Sequence, residues 1–167
     1  ARGRGGSRMA GVVVGGGLEP VIWEVAIPGL VQRLEHTFAR HEVAQGKDLE
    51  IDLPNGLEAL KTDAAMLHRS LANLLKNALE ATEEGGRVRL DARETAEEIR
   101  FSVWNAAEMP ADAKLKVFSR SFSTKGRGRG LGTYSVRLLC ERFLEGRVGF
   151  HSDRDHGTTF WIRLPRR

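Results

Sequence analysis

A two-layer α/β sandwich, with a mixed β-sheet packed on one side by helices, is the fold this sequence predicts, and three observations predict it. Segments of alternating charged or polar and apolar residues, KDLEIDLP, GGRVRLDARE and EEIRFSVWN, are interleaved with segments of helical period. The firmest helical segment runs from Asp63 to Thr82, where Met66, Leu67, Leu71, Leu74, Leu75, Ala78 and Leu79 recur at intervals of three and four. A chain of 167 residues, 41% hydrophobic and 29% charged, is long and apolar enough to bury one core.

Taken in order, residues 1–18 are rich in Gly and Arg around an isolated VVV. They are expected to be a linker, an appended remnant or a flexible arm, with the domain proper over 19–167. PVIWEVAI reads as a strand and Gly29 to Gln45 as a helix. KDLEIDLP is a half-buried strand ended by Pro54, and Asp63 is a good N-cap for the helix after it. GGRVRLDARE and EEIRFSVWN are strands joined near Glu94 to Glu97, and a short helix from Ala111 to Val117 follows Pro110. Glycines at 126, 128, 130 and 132 are too dense for a regular element, so Ser119 to Gly132 is a loop. It opens onto a helix reaching Glu145, carried by Val136, Leu138, Leu139 and Phe143. GRVGFHS and TTFWIRLP are the last strands, around a polar turn at Asp153 to Gly157.

Composition narrows the function classes. No apolar run approaches a bilayer span and no secretory pattern is present, so a soluble, cytoplasmic fragment without membrane contact is expected. The single cysteine, Cys140, lies in an apolar helical stripe and reads as core. The net charge of +4 and pI near 9.6 raise nucleic acid as a partner. However, the basic residues concentrate at the two termini and in the glycine loop without interleaved aromatics, and a nucleotide's phosphates explain the loop cluster more economically.

Two features carry chemistry. Asn73 and Asn77, four residues apart, project from one stripe beside the buried face of their helix. A carboxamide oxygen there can ligate Mg2+, which prefers oxygen and is satisfied by one or two protein ligands plus phosphates. The glycine loop, with Lys125, Arg127 and Arg129 between its glycines, ends at a helix N-terminus, where backbone N–H groups and the cations suit an anion.

The ordered set N-x-x-x-N-A, a strand ending in a polar residue, F-x-x-x-F, G-x-G-L-G and G-T-T-F-x-I-x-L-P resembles the catalytic, ATP-binding domain of bacterial sensor histidine kinases. That domain shares its superfamily, and its Bergerat-type fold, with type II topoisomerases and a heat-shock chaperone. The resemblance covers roughly residues 20–165. It implies ATP and Mg2+ as ligands, with Asn77 holding the metal and Asn73 helping to position the metal and the phosphates. Phe118 and Phe122 match the F box that anchors the lid, and Gly128, Gly130 and Gly132 match the second glycine box. Further nucleotide contacts are implied at Asn105, Thr124, Lys125, Leu131 and Thr159. Lys125, Arg127 and Arg129 are implied to neutralise charge developing on the γ-phosphate, in a lid that is mobile until phosphate orders it. Position 73 carries no carboxylate, where ATP-hydrolysing relatives place a general base, so slow hydrolysis is implied.

The chain departs from the family at the first glycine box, where D-x-G-x-G is replaced by Asn105, Ala106 and Ala107. An asparagine oxygen still accepts a bond from the adenine amino group, but its NH2 also donates, so looser discrimination of ATP from GTP is expected. Ala107 adds a methyl near the base.

The resemblance further implies that the nucleophile is a histidine on a separate dimerisation module, that a response regulator is reached through it, and that the intact protein is a homodimer. His41 is too near Asn73 for such a module and, with His36, reads as a solvated helix residue; His68, beside the N box, reads first as a satisfied surface imidazole and second as a contact to phosphate or metal. Two other readings share the motifs: a nucleotide-binding regulatory domain without transferase activity, motivated by Asn105 and Ala107, and an anti-sigma-factor-type serine kinase.

Overall fold

The computed structural model describes residues 12–14, 17–119 and 131–167. Val12–Val14 (β1) and Gly17–Glu19 (β2) pair antiparallel by themselves. Trp23–Ala26 (β3) leads directly into Ile27–Ala39 (α1). This helix begins two residues earlier and ends six residues sooner than the predicted Gly29 to Gln45. Pro28 sits in its first turn, where its missing N–H costs nothing and its fixed φ favours the helix. After it a separate 3₁₀ turn covers Glu42–Ala44, with His41 as its cap, the imidazole Nδ1 accepting from the Val43 N–H at 3.1 Å. His41 is thus half-buried outside the helix, whereas His36 is an exposed helix residue as expected.

Asp48–Asp52 (β4) is followed by Ala59–Thr62 (β5), a strand the sequence reading missed, which pairs antiparallel with β3 in a small second sheet. Ala64–Glu80 (α2) starts at Asp63, whose Oδ1 accepts from Met66 N–H at 3.0 Å while Oδ2 accepts from Val21 N–H at 2.8 Å. Its apolar stripe is buried along its length, from Met66 to Leu79. Arg87–Glu94 (β6) and Glu98–Asn105 (β7) form a hairpin, and Ala111–Lys116 (α3) follows Pro110. Leu131–Arg137 (α4) continues as a π-helical stretch over Leu138–Phe143. Arg147–Asp153 (β8) and Gly157–Pro165 (β9) complete the chain.

The main sheet has five strands in the order β4-β6-β7-β9-β8. β4 and β6 run parallel because α2 connects the two halves of that crossover, while all other neighbours are antiparallel, so the sheet is mixed. One face alternates into the core: Val88, Leu90, Ala92, Ile99, Phe101, Val103, Phe160, Ile162 and Leu164 are all buried. They meet α2, α1 and the α4 helix in one cluster. The other face bears Trp104 and Trp161, capped by the guanidinium groups of Arg89, Arg100 and Arg163 at 4.6–5.5 Å from the ring centres. Helices therefore lie on one side of the main sheet, as predicted.

Candidate functional site

Asn73 and Asn77 are half-buried on α2, between its buried stripe and exposed residues such as Lys76. The start of α4 packs against them. A Cβ placed on Gly132 would stand 3.9 Å from Asn73 Cβ and Cγ and 3.9 Å from Asn77 Nδ2, at ordinary contact distance. Residues 59 positions apart in sequence, from the asparagine helix and from the end of the glycine loop, therefore meet at one point.

Asn105 closes β7 opposite Val88 on one side and Thr158 on the other. It is 4% exposed, on the same sheet face as Val103 and Phe101, toward α2. Its Nδ2 is buried without a hydrogen-bond partner. Most buried donors in folded proteins are paired, and among the buried side-chain atoms of the described residues Asn105 Nδ2 shares its lack of a protein partner only with Arg100 Nε on the other face of the sheet. The backbone around it is fixed. Gly157 adopts φ +77°, and a side chain on it would overlap the Asn105 carbonyl and come within 2.9 Å of Ala106. Thr158 Oγ1 donates to the Ala107 carbonyl at 2.7 Å and lies 2.8 Å from Ser152 Oγ, which accepts from Met109 N–H at 2.9 Å.

The threonine at this point is Thr158, and Thr159 is not part of it. Side chains alternate along β9, so Thr158, Phe160 and Ile162 face the helices while Thr159 pairs with Trp104 on the opposite face. Of the two threonines, Thr158 is the one on the helix-facing side, and the expected site residue Thr159 lies on the other. The motif alone does not fix this parity, because either threonine of G-T-T-F can point inward until the register with β7 is known.

His68 lies away from the two asparagines, in keeping with its reading as a satisfied imidazole outside the phosphate and metal contacts. Asn77 lies nine residues on, which at 3.6 residues per turn is two and a half turns and the opposite side of α2. Burial, then the Arg33 guanidinium of α1, holds the His68 imidazole below its ordinary pKa. His151 and His156 both contact Asp153, at 2.9 and 3.0 Å. The His156 backbone N–H, followed by the two imidazoles, brings that carboxyl down to about 2. Cys140 is core as expected, its Sγ 3.9 Å from Ser70 Oγ and its thiol pushed up to about 12 by burial. Among the described residues no cluster of His, Cys, Asp or Glu suits a metal ion.

The ends of the glycine loop are tied together. Thr133 Oγ1 in the first turn of α4 donates to the Val117 carbonyl at the end of α3. Phe118 packs edge-on against Phe150 and Phe160, with ring centres 5.9 and 6.2 Å away, and the Arg137 guanidinium lies 5.6 Å from its ring. Phe118 is thus anchored on the sheet. Sequence reasoning placed Thr158 in the closing turn and strand without its hydrogen bonds, and missed Thr133 and Ser152, whose contacts lie far along the chain. Phe122, Thr124, Lys125, Arg127, Gly128, Arg129 and Gly130 lie outside the described residues, and Leu131 is placed only as the first residue of α4. A cleft of about 290 Å³ lined by Phe118, Tyr134, Arg137, Leu138, Glu141 and Arg142 occupies the opposite side of α4 and includes none of the three asparagines.

The residues present fit a nucleotide with its cation. Two half-buried amides converge with a glycine on α2 and α4, and a buried donor stands unpartnered at the end of β7. The model of the histidine kinase-, DNA gyrase B- and HSP90-like ATPases matches residues 62–167. Sensor protein DivL of Caulobacter vibrioides is 28% identical over 145 residues, which are 86% of this chain and 19% of DivL. The chain spans 19–34% of the length of the first curated relatives it matches. Among solved structures, the nucleotide-free catalytic domain of histidine kinase ThkA superposes with a TM-score of 0.78 at 27% identity, over 87% of this chain and 96% of that one. Full-length ShkA in complex with AMPPNP gives 0.77 at 26% identity, over 89% of this chain and 32% of ShkA.

Proposed function

Since the chain belongs to the histidine kinase-, DNA gyrase B- and HSP90-like ATPases, we propose that residues 19–167 form the ATP-binding catalytic domain of a two-component sensor histidine kinase. In this reading the γ-phosphate passes to a histidine on a separate dimerisation module. A response regulator is reached through that module, and the intact protein works as a cytoplasmic-facing homodimer. No described helix is long and apolar enough to cross a membrane.

The observation that carries the reading is the convergence of Asn73, Asn77 and Gly132. The Asn77 amide oxygen holds Mg2+, with Asn73 beside it orienting the metal and phosphates. A bound Mg2+ supplies neutralisation of phosphate charge. Asn105 meets the base, and Gly157 with Thr158 holds Asn105 in place. Backbone N–H groups at the start of α4 face the phosphates, and Lys125, Arg127 and Arg129 add cations in the intervening segment. Thr133 and Phe118 fix the two ends of that segment to the body of the domain. With Asn at 73 no side chain there removes a proton from water, so the domain retains ATP until the histidine module arrives.

Calorimetry with MgATP tests the site, and Asn77→Ala is expected to weaken magnesium-dependent binding by at least about tenfold. Supplying the histidine module in trans with labelled ATP tests the chemistry, with acid-labile phosphohistidine as the expected product. Binding without transfer supports the regulatory-domain reading that Asn105 and Ala107 motivate. Acid-stable phosphoserine on a partner supports the serine kinase reading, and absence of nucleotide binding removes all three.

A further inference from the structure

We propose that the Asn105 carboxamide makes base recognition indifferent to whether a purine carries an amino or an oxo group at position six, so that the chain takes 6-oxopurine triphosphates alongside ATP. The inference rests on reading this cleft as a purine nucleotide site.

Asn105 is 96% buried and its Nδ2 has no partner. The hydroxyl of Thr158, opposite Asn105 in the sheet, and that of Ser152 have other partners. Thr158 Oγ1 bonds the Ala107 carbonyl at 2.7 Å and Ser152 Oγ at 2.8 Å, and Ser152 Oγ also accepts from Met109 N–H at 2.9 Å. Nor can the backbone turn to relieve the amide, since Gly157 packs directly on the Asn105 carbonyl and on Ala106. The proposal requires the amide plane to turn by half, which exchanges oxygen for nitrogen. The strand end thus presents either an acceptor or a donor from one fixed position.

That pair of states matches both purine edges. A 6-aminopurine offers an N6–H donor and an N1 acceptor, which the amide oxygen and NH2 complement in one orientation. A 6-oxopurine offers an O6 acceptor and an N1–H donor, which the same amide complements after the half-turn. A carboxylate at 105 has only acceptors. It suits the amino group and leaves O6 facing a negative oxygen, which would exclude the oxo base. The NH2 is buried and unpartnered where it stands, and the half-turn would bring it toward an O6.

Competition of ATP, ITP and GTP against a fluorescent ATP analogue, in Mg2+ and with the whole 167-residue chain, tests this. ITP isolates position six, because it lacks the 2-amino group of GTP. The expected result is an ITP dissociation constant within about tenfold of that for ATP, with Asn105→Asp lowering ITP affinity relative to ATP by about tenfold or more. ITP bound and GTP refused also supports the proposal and assigns the obstacle to the 2-amino group. ATP bound with ITP weaker by more than about tenfold in the unmutated chain overturns it, whether or not the aspartate variant folds. Binding of none of the three overturns the nucleotide reading beneath it, a result distinct from ATP binding with strict base selection.

Discussion

His68 shows how far one side chain's surroundings decide its behaviour. It sits in the helix that carries Asn73 and Asn77, yet its charged neighbour is Arg33 of α1, and burial is the larger cause of its lowered pKa. The unfolded chain therefore takes up this proton first as the pH falls below about 6.5, while the folded chain resists. A state that binds fewer protons loses ground as protons become abundant, so stability drops through that window and levels off once the folded imidazole also titrates. Urea midpoints at pH 7.5 and 5.5 check this. The wild-type chain is expected to lose more stability between the two than His68→Gln, and equal losses would exclude the imidazole as the cause. Asp153 has the opposite sign. Its carboxyl, held at about 2, contributes above the ordinary carboxylate range and loses that contribution as the pH falls toward 2. The identity of the three asparagines was legible in sequence because spacing and residue type suffice to place them on a helix face and a strand end. The unpaired state of the Asn105 NH2 was not, since it depends on what Thr158, Ser152 and Gly157 already bond or fill.

Among the elements, α2 matters most, because its rotation about its own axis decides whether Asn73 and Asn77 face Gly132. Asp63 sets that start with both oxygens, capping Met66 N–H and holding the strand-leading segment through Val21 N–H. Asp63→Ala orphans both donors at a position only 2% exposed. Loss of about 1–2 kcal/mol is expected, seen as a melting temperature lower by about 2–8 °C for a domain of this size. An unchanged melting curve would show that the start of α2 is set by packing alone. This helix and its cap were readable because period, N-cap and length agree. β5 was not, because Ala59–Thr62 is four residues long with little apolar alternation, and its identity comes from pairing with β3. The early start of α1 was obscured by Pro28, which marks a break in most contexts and a beginning in this one. The parity of Thr158 and Thr159 is a property of register, which a two-residue repeat of the same amino acid cannot announce.

For the whole molecule, a five-stranded mixed sheet carries its helices on one face and an Arg–Trp surface on the other. On that second face Glu50 meets Arg87 and Arg89 at 3.4 and 3.7 Å. Such exposed pairs contribute little to stability, about 0–1 kcal/mol each. The architecture instead holds two distant points in register: α2 against the first residues of α4, and the end of β7 against the turn into β9. The central claim is that these points belong to one nucleotide cleft. Its most direct test follows the side-chain amide resonances of Asn73, Asn77 and Asn105 in a ¹⁵N-labelled chain titrated with Mg2+ and a non-hydrolysable ATP analogue. The three are expected to shift together along one saturation curve. Saturable binding that leaves all three resonances unmoved would contradict the account.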